Sequence, residues 1–425
     1  MNETTMSILT LAVLVFVIAF GFLKKFNIGI LSFGVALLLG RFIGMTDKEI
    51  VGGFNTGLFV ILLGAMLLFG IAHLNGTIEL LAKKLVALFG RQGWMLPFAM
   101  YIVGFLVAFL GPGTIPSFGV VALFGVPLAA AIHADPFLIC CIGQLGGIAG
   151  GIVPWAPTGV IGIEKAAEAG FTDHIATPLF INVTIGTLFT ALCIFVLYKG
   201  WRLHGETHVS FRDLPKFNQK QWLTLIGILA MVATVVIFKT NIGLTSFLIS
   251  IVLILLGCGD LSKAISSISY NTLFMVIGTG VLMNVVITGG GINLLAHLLS
   301  EIMSVRTAPA LISLAAGIMS WFSSTSGVVM PTLIPTIPAI FANLGTDAIP
   351  PAMMVSAITL GSSVAGLSPA STGGGLIYAA LAGEKEYENE DMNKLFLKLF
   401  LTSVFSVAMA SLFALIGGYQ FTPYN

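Results

Sequence analysis

Charged residues are scarce in this sequence of 425 residues, at 9% of the chain. An ordinary soluble domain carries about 25%. Hydrophobic residues make up 57%. A soluble domain of this length needs a charged surface, and this chain cannot supply one. The composition therefore excludes a soluble globular protein and predicts an all-α protein that crosses the membrane many times. A net charge of +1 gives no reason to expect a nucleic-acid partner.

The residues on which most enzymatic and metal chemistry depends are few or badly placed. The four cysteines lie in or at the end of apolar segments, and their spacing is typical neither of a disulfide framework nor of a metal site. The chain also lacks a dinucleotide-binding fingerprint in a strand–turn–helix context and a G-x-S-x-G elbow. We therefore expect a protein that is not an enzyme and that carries no cofactor.

Titratable residues are missing from the predicted membrane interior. All 18 acidic residues fall in predicted loops or at helix ends, and the six histidines are peripheral. No Lys or Arg is expected near the interruptions described below. Proton-coupled carriers and cation/proton exchangers normally need a titratable group inside the membrane. A bound anion would then depend on backbone dipoles, hydroxyls and co-bound cations.

An internal repeat organises the chain. NIGILSF at 27–33 recurs as NIGLTSF at 241–247, an offset of 214. AGGIVPWAPTG at 149–159 recurs as VAGLSPASTGG at 364–374, an offset of 215. Two further pairs of segments recur between them in the same order, which chance similarity of apolar strings does not explain.

The repeat predicts two equivalent halves joined by a polar linker. The first half is predicted to have helices at 6–22, 28–44, 55–73 and 176–198, an amphipathic interfacial segment at 76–90, apolar runs at 94–110 and 118–132, and an interrupted run at 136–168. The predicted organisation is a first repeat at 1–199 (scaffold 6–90, hairpin and broken helix 94–198), a cytoplasmic linker at 200–220, and a second repeat at 221–425 (scaffold 221–303, hairpin and broken helix 308–418).

Positive charge predicts the orientation of these halves. If 94–132 is a re-entrant hairpin, each half has five crossings and the two halves have inverted topology. With the N-terminus outside, this arrangement places 14 of the 19 Lys and Arg residues inside. Lys and Arg concentrate in cytoplasmic loops, so we expect this topology, with both termini outside, in a bacterial inner membrane.

Helix-breaking residues interrupt the apolar runs at four related places. The hairpin tips contain GPGTIPS at 111–117 and SWFSSTSGVVMPT at 320–332, and the broken helices contain 146–159 and 361–375. Non-helical backbone survives at membrane depth only inside protein or beside water. Half-helix N-termini suit carboxylates, and unwound carbonyls and hydroxyls suit Na⁺. The alternative for each stretch is ordinary packing by small residues, and for Trp155 it is core packing or interfacial anchoring.

This pattern resembles the ion transporter superfamily that includes the divalent-anion/sodium symporters. Those carriers have Ser-Asn-Thr signatures at the hairpin tips. The second tip here, Ser323-Ser324-Thr325-Ser326, is a near match without Asn, whereas the first, Gly111-Pro112-Gly113-Thr114, departs from it. The full-length pattern is most similar to the MatC-type dicarboxylate (malonate) carriers.

The resemblance implies two Na⁺ sites and one site for a small dicarboxylate between the tips. The cation-binding residues it implies are Gly111, Gly113, Gly150, Pro154, Ser323, Ser326, Ala365 and Ser368. The substrate-binding residues it implies are Thr114, Ser117, Trp155, Thr158, Ser324, Thr325, Pro369, Ser371 and Thr372.

The resemblance also implies an elevator mechanism and a homodimer formed by the scaffold helices. We expect a secondary active Na⁺ symporter of a malonate- or succinate-type dicarboxylate. The open alternatives are a cation/proton antiporter, a carrier of another organic anion or an oxyanion on the same fold, and a channel. The doubly occluded hairpins favour alternating access over an open pore.

Overall fold

The computed structural model describes residues 2–24, 26–89, 93–172, 174–203, 214–345, 348–383, 387 and 390–420. All regular secondary structure in these ranges is helical. The helices of the first half are α1 (Glu3–Lys24), α2 (Ile28–Phe42), α3 (Asp47–Val51), α4 (Thr56–Leu74), α5 (Thr77–Phe89), α6 (Leu96–Phe109), α7 (Thr114–Ala131), α8 (Pro136–Gly150), α9 (Pro157–Glu168) and α10 (Ala176–Leu197).

The second half has the same order of elements, except that the second arm of its hairpin is divided into two helices. Its helices are α11 (Gln219–Phe238), α12 (Ile242–Leu255), α13 (Leu261–Ser266), α14 (Tyr270–Thr288), α15 (Gly291–Ser300), α16 (Ala308–Trp321), α17 (Met330–Leu333), α18 (Ile337–Leu344), α19 (Pro351–Val364), α20 (Thr372–Gly383) and α21 (Met392–Leu415). A π-helical turn, Thr325–Val329, precedes α17, and single 3-10 turns precede α6, α18 and the second helix break and follow α10.

The described helices identify a multi-pass membrane protein, as the composition predicts. Seven helical segments are long and apolar enough to cross a bilayer, and several shorter apolar helices accompany them. The predicted runs at 94–110 and 118–132 are the helices α6 and α7, with the first tip between them. Helix α7 begins earlier than expected, at Thr114, so Thr114 and Ser117 belong to its first turns rather than to a loop.

Asparagine side chains start repeat-related helices. Asn27 caps α2 by accepting the Ile30 N–H at 3.0 Å, and Asn241 caps α12 by accepting the Leu244 N–H at 3.1 Å. Each cap satisfies a backbone donor that has no partner within its own helix. The repeated Asn-Ile-Gly sequence therefore encodes the same helix start twice.

The short helix α3 was not expected from the sequence, and a capping box starts it. Thr46 donates from its backbone N–H and its hydroxyl to the Glu49 carboxylate, each at 2.7 Å. These two bonds lower the pKa of Glu49, because they stabilise the ionised form. Asn284 of α14 then donates to the Glu49 carbonyl at 2.8 Å, which fixes α3 beside α14.

Repeat-related glycines bring the two halves into close contact. A Cβ placed on Gly278 of α14 would lie 2.1 Å from the Gly29 carbonyl oxygen of α2. A Cβ on Gly64 of α4 would lie 2.3 Å from the Gly243 carbonyl oxygen of α12. Gly29 corresponds to Gly243 and Gly64 to Gly278 in the repeat. The same backbone contact therefore occurs twice, once between α2 and α14 and once between α12 and α4.

Glycines also let the first broken helix pack tightly against its hairpin. A Cβ on Gly146 of α8 would lie 1.9 Å from the Tyr101 carbonyl oxygen of α6, and one on Gly150 would lie 2.1 Å from that of Phe105. Every residue of α8 is buried. In the second half, a Cβ on Gly361 of α19 would lie 2.1 Å from the Ser313 carbonyl oxygen of α16. Helices α8 and α19, the first parts of the two broken helices, therefore lie in the protein's interior.

Candidate functional site

The first hairpin tip is a tight glycine turn inside the protein. Gly111 and Gly113 have φ values of +116° and +85°, in a region that residues with side chains rarely adopt. Both glycines and Pro112 are buried. A Cβ on Gly111 would lie 1.9 Å from Cζ of Phe69, a residue of α4. The turn thus requires glycine for its backbone conformation, and at Gly111 also for space.

Thr114 follows this turn as the first residue of α7. The preceding residue provides no side-chain cap, so the first backbone N–H groups of α7 lack the usual local acceptor. The methyl group of Thr114 lies 2.5 Å from the position of a Cβ on Gly151, at the start of the first helix break. The half-buried Thr114 side chain therefore lies where the tip and the break meet.

The first break spans residues 151–156, between α8 and α9. Trp155 ties it to the tip, because its indole N–H donates to the Phe109 carbonyl at 2.7 Å. Phe109 ends α6, so this carbonyl has lost its helical donor. The two rings also meet edge to face, with centroids 5.3 Å apart. Pro154 is half-buried in the break.

The Ser117 side chain is buried in the contact between the two arms of the first hairpin. It is fully buried, and its hydroxyl donates to the Gly104 carbonyl of α6 at 2.8 Å. A Cβ on Gly147 of α8 would lie 2.5 Å from the Ser117 hydroxyl oxygen. Ser117 thus braces the two arms of the hairpin against the broken helix, and Gly150 likewise occupies a packing position.

The second tip carries a row of half-buried hydroxyls with well-defined partners. Ser323 donates to the Met319 carbonyl at 2.7 Å, and Thr325 donates to the Ser362 carbonyl at 2.9 Å. Ser324 instead accepts the Gly327 N–H at 3.1 Å, which caps the π-helical turn. Because the Thr325 hydrogen goes to Ser362, its oxygen accepts from the Ser320 hydroxyl at 3.0 Å. Ser323 therefore retains lone pairs, Thr325 retains one, and the Ser324 hydroxyl retains its hydrogen.

The second break is stabilised largely by its own hydroxyls. Ser368 is fully buried and accepts the Ala370 N–H at 3.3 Å. Ser371 donates to the carbonyls of Gly366 and Ser368, the latter at 2.7 Å. The Ala365 carbonyl accepts from Ser403 of α21 at 3.1 Å. Pro369 is buried, whereas Thr372, at the start of α20, is exposed.

Two contacts connect these four features. Thr325 joins the second tip to α19 of the second broken helix through the Ser362 carbonyl. Ser326 of the same tip lies 3.5 Å from the Thr158 hydroxyl, on α9 after the first break. The structure therefore brings Ser323 to Ser326 and Thr158 together, and separately brings Thr114, Trp155 and the first tip together.

Gln144 is a buried polar residue that the sequence analysis missed. It lies on α8 and donates to the Gly373 carbonyl of α20 at 2.8 Å, so it joins the first broken helix to the second. Its side-chain oxygen is buried without a hydrogen-bond partner. The signal in the sequence was a single amide within an otherwise apolar, glycine-rich run.

Lys165 contradicts the expectation that no Lys or Arg lies near the broken helices. It lies on α9, the second half of the first broken helix, with 4% of its surface exposed. The helix continues to Glu168, so Lys165 lies within the helix and not in a loop. Its ammonium pairs with the Glu168 carboxylate at 2.6 Å.

Comparisons with known proteins agree with this architecture. A family model described as CitMHS, citrate transporter, matches residues 11–361. The chain is similar to the YdaH transporter of Alcanivorax borkumensis, with a TM-score of 0.59 and 15% identity over 97% of this chain and 99% of that one. That structure was described as having an unusual topology.

A second solved structure is the MtrF protein of Neisseria gonorrhoeae, described as illuminating a class of antimetabolite efflux pumps. It has a TM-score of 0.49 and 15% identity over 88% of this chain and 83% of that one. No protein of curated function matches the chain. Identities of 15% indicate likeness of fold alone, whereas the family match spans most of the chain. The chain belongs to the citrate transporter family, and it is a secondary transporter of the membrane rather than an enzyme.

Proposed function

We propose that this protein is a secondary active carrier of a small polycarboxylate, coupled to Na⁺. The family match supports citrate as a first candidate, and the resemblance to divalent-anion/sodium symporters supports malonate and succinate. The closeness to MatC-type carriers stays a prediction. The observation that carries the proposal is the pair of interrupted hairpin tips, each beside a broken helix.

The hydroxyl orientations at the second tip support binding of an anion and a cation side by side. Ser324 has a hydrogen to donate, since its oxygen accepts from Gly327. A carboxylate accepts such a donor. Ser323 and Thr325 donate to backbone carbonyls, so their oxygens have lone pairs for a hard cation. No charged residue occurs in 320–332, so neither ion would compete with a fixed charge there.

The first tip offers fewer side-chain ligands to a cation than the second tip does. Gly111, Gly113, Gly150 and Pro154 can offer Na⁺ only backbone carbonyls, because none has a polar side chain. Thr114 adds one hydroxyl at the uncapped start of α7, whose free N–H groups favour a carboxylate. We propose that this tip contributes mainly to anion binding, and that Ser323, Ser326, Ala365 and Ser368 provide the stronger cation site.

We further propose inverted repeats, an elevator motion and a homodimer. The reciprocal glycine contacts of α2 with α14 and of α4 with α12 support a rigid scaffold built from both halves. The first tip contacts this scaffold where Phe69 packs against Gly111, and the second where Thr279 of α14 donates to the Gly327 carbonyl. The proposed location is a bacterial inner membrane, with both termini outside.

Proton coupling is the second candidate, and Lys165 with Glu168 is the observation that favours it. Proton-coupled carriers need a titratable group inside the membrane, and this pair on the first broken helix provides one. The hairpin and anion sites would be unchanged in that case. The two candidates differ only in the ion that drives uptake.

Binding measurements on the purified protein test the substrate class and the coupling ion. Labelled citrate would be bound at fixed ionic strength in Na⁺ or choline buffer, with malonate, succinate, sulfate and gluconate as competitors. We expect saturable binding that Na⁺ strengthens at least tenfold and that di- and tricarboxylates compete away. Binding that responds only to pH would replace Na⁺ with H⁺, and competition by none of the carboxylates would contradict the proposed substrate.

A further inference from the structure

A cavity of about 350 Å³ lies between the scaffold and the proposed moving elements, next to the end of the second tip. One wall comes from the scaffold, with the connection between α3 and α4 and the middle of α14. The other comes from α9 and the second arm of the second hairpin. Polar, small and apolar residues line it, among them Asn55, Lys165, Glu168, Gly280, Met283 and Ile287.

Lys165 is the charged centre of this cavity. It is the only basic residue that is buried within the described part of the chain. Its side chain is 5% exposed, whereas the side chain of Glu168 is 40% exposed. The carboxylate therefore lies at the mouth of the cavity, and the ammonium lies behind it. Asn55 holds the carboxylate from the other side, donating to it at 2.6 Å.

The ammonium is only partly satisfied by this arrangement. It has three N–H donors, and its one hydrogen-bond partner within the described residues is Glu168. Taking a charge out of water costs several kcal/mol unless a partner of opposite charge compensates. A second carboxylate in the cavity could use the remaining donors. It could also displace Glu168, whose exposed side chain can return to water.

Glycines keep the space beside the ammonium empty. A Cβ on Gly280 would lie 3.9 Å from the Lys165 ammonium and 3.2 Å from the Gly53 carbonyl oxygen. A Cβ on Gly53 would lie 2.6 Å from that of Asn284. The α3–α4 connection can therefore approach α14 closely while leaving the ammonium facing open volume.

We propose that this cavity is an anion-binding site at which Lys165 exchanges Glu168 for a carboxylate of the transported molecule. The proposal rests on the proposed function and deepens it, since it names a receiving site distinct from the hydroxyls of the tips. Exchange of one carboxylate for another keeps the ammonium paired throughout. The site thus favours polycarboxylates over neutral solutes, with a charge that the tips lack.

The position of Lys165 on α9 connects the cavity with the tips. Thr158, Gly162 and Lys165 lie on one face of the helix, at spacings of four and three residues. Thr158 contacts Ser326 of the second tip, about 10 Å along the helix from Lys165. Met330 fills the space beside Gly162 between them, with its methyl group 2.9 Å from where a Cβ would lie. The Met330 side chain therefore packs against α9 between Lys165 and the Thr158–Ser326 contact.

Ligand-induced thermal stabilisation of the purified full-length protein tests this site without relying on transport. Citrate, malonate and succinate would be titrated at constant ionic strength, with chloride as the reference anion. We expect carboxylates to stabilise the unmodified protein, Lys165→Met to weaken citrate binding at least tenfold, and Glu168→Gln to strengthen it severalfold. Lys48→Met, which removes an exposed lysine of α3, should leave the affinity unchanged.

A double variant keeps the test valid if Lys165→Met misfolds. Lys165→Met combined with Glu168→Gln removes both charges, so no buried charge is left unpaired. Unchanged citrate affinity in this variant would overturn the proposed site while leaving the transport function intact. A third outcome would separate the two proposals. If the protein binds carboxylates through Lys165 but transports none of them, the site would be supported and the proposed function refuted. No stabilisation of the unmodified protein by any carboxylate would refute the site.

Discussion

At the scale of single residues, the hydroxyls of the second tip carry the chemical argument. Ser324 has a hydrogen left to donate, and Thr325 reaches across to the Ser362 carbonyl of α19. Ser324 is held by its bond from the Gly327 N–H, and Thr325 is held by its bond to Ser362 and by a second one with the Ser320 hydroxyl. The tip can therefore offer both a hydrogen-bond donor and hydroxyl oxygens to bound ions without any charged side chain.

Removing these hydroxyls should impair transport more than folding. We expect Ser324→Ala and Thr325→Ala each to lower citrate or malonate uptake about tenfold, since a hydrogen bond to a charged group contributes about 1.5–3 kcal/mol. Ser411→Ala is the matched control, because that hydroxyl bonds only within α21. Uptake into proteoliposomes is the measurement, and full activity of both tip variants would count against the site.

Trp155 is predicted to act through its hydrogen bond as well as its ring. Trp155→Phe keeps an aromatic ring but leaves the Phe109 carbonyl without its donor, which should cost about 1 kcal/mol of stability. Trp222→Phe, at an exposed position on α11, should cost less. Thermal unfolding in detergent compares the two, and equal stability of both variants would mean that the indole N–H is not needed.

The sequence pattern could predict where the tips and breaks lie, but not which neighbours their individual residues contact. The tips and breaks were found because glycine, proline and hydroxyl clusters interrupt apolar runs. Ser117 and Gly150 lie in packing contacts with neighbouring helices. Which helix lies beside a residue cannot be predicted from the local sequence pattern. Lys165 was misplaced because it lies near the end of the predicted run 136–168, and the run itself does not show that neighbouring helices bury this end.

At the scale of helices, the repeat predicted almost every element, because hydrophobic runs and their interruptions are local signals. The bounds of α2, α4 and α10 agree with the predicted runs to within two residues. The short helix α3 escaped notice because its five residues carry no periodicity, and only its Thr46–Glu49 capping box marks it. How closely helices approach could not be predicted, since glycine permits close packing without requiring it.

The glycines of α8 should be needed for the approach of α8 to α6. Gly146→Ala places a Cβ 1.9 Å from a backbone oxygen that cannot move aside, so we expect a loss of about 1–3 kcal/mol. Gly34→Ala on α2 is the control. Nothing lies within 4 Å of its Cβ position, and alanine should stabilise that helix by up to about 1 kcal/mol. Thermal unfolding should shift the two variants in opposite directions, and a shared direction would contradict this packing account.

At the scale of the whole molecule, the proposed elevator requires the second hairpin to move against the scaffold. Met283 of α14 and Thr332 of α17 meet across that boundary, with sulfur and hydroxyl 3.9 Å apart. We expect Met283→Cys with Thr332→Cys to lose uptake when oxidised to a disulfide and to regain it on reduction.

A cross-link inside the scaffold provides the control for this experiment. Gly40 of α2 packs against the side chain of Ile50 of α3, and both belong to the proposed scaffold. Gly40→Cys with Ile50→Cys should keep its uptake after oxidation. If the linked hairpin pair transports as well as this scaffold pair, the two elements do not move apart during transport.

Uptake of labelled citrate into proteoliposomes is the most direct test of the central claim, that a polycarboxylate is carried by Na⁺-coupled secondary transport. Malonate and succinate would be measured in parallel, with an inward Na⁺ gradient in one set and a choline or pH gradient in the other. The account predicts accumulation of at least one of these acids that depends on the Na⁺ gradient. Uptake of none of them under any gradient would contradict it.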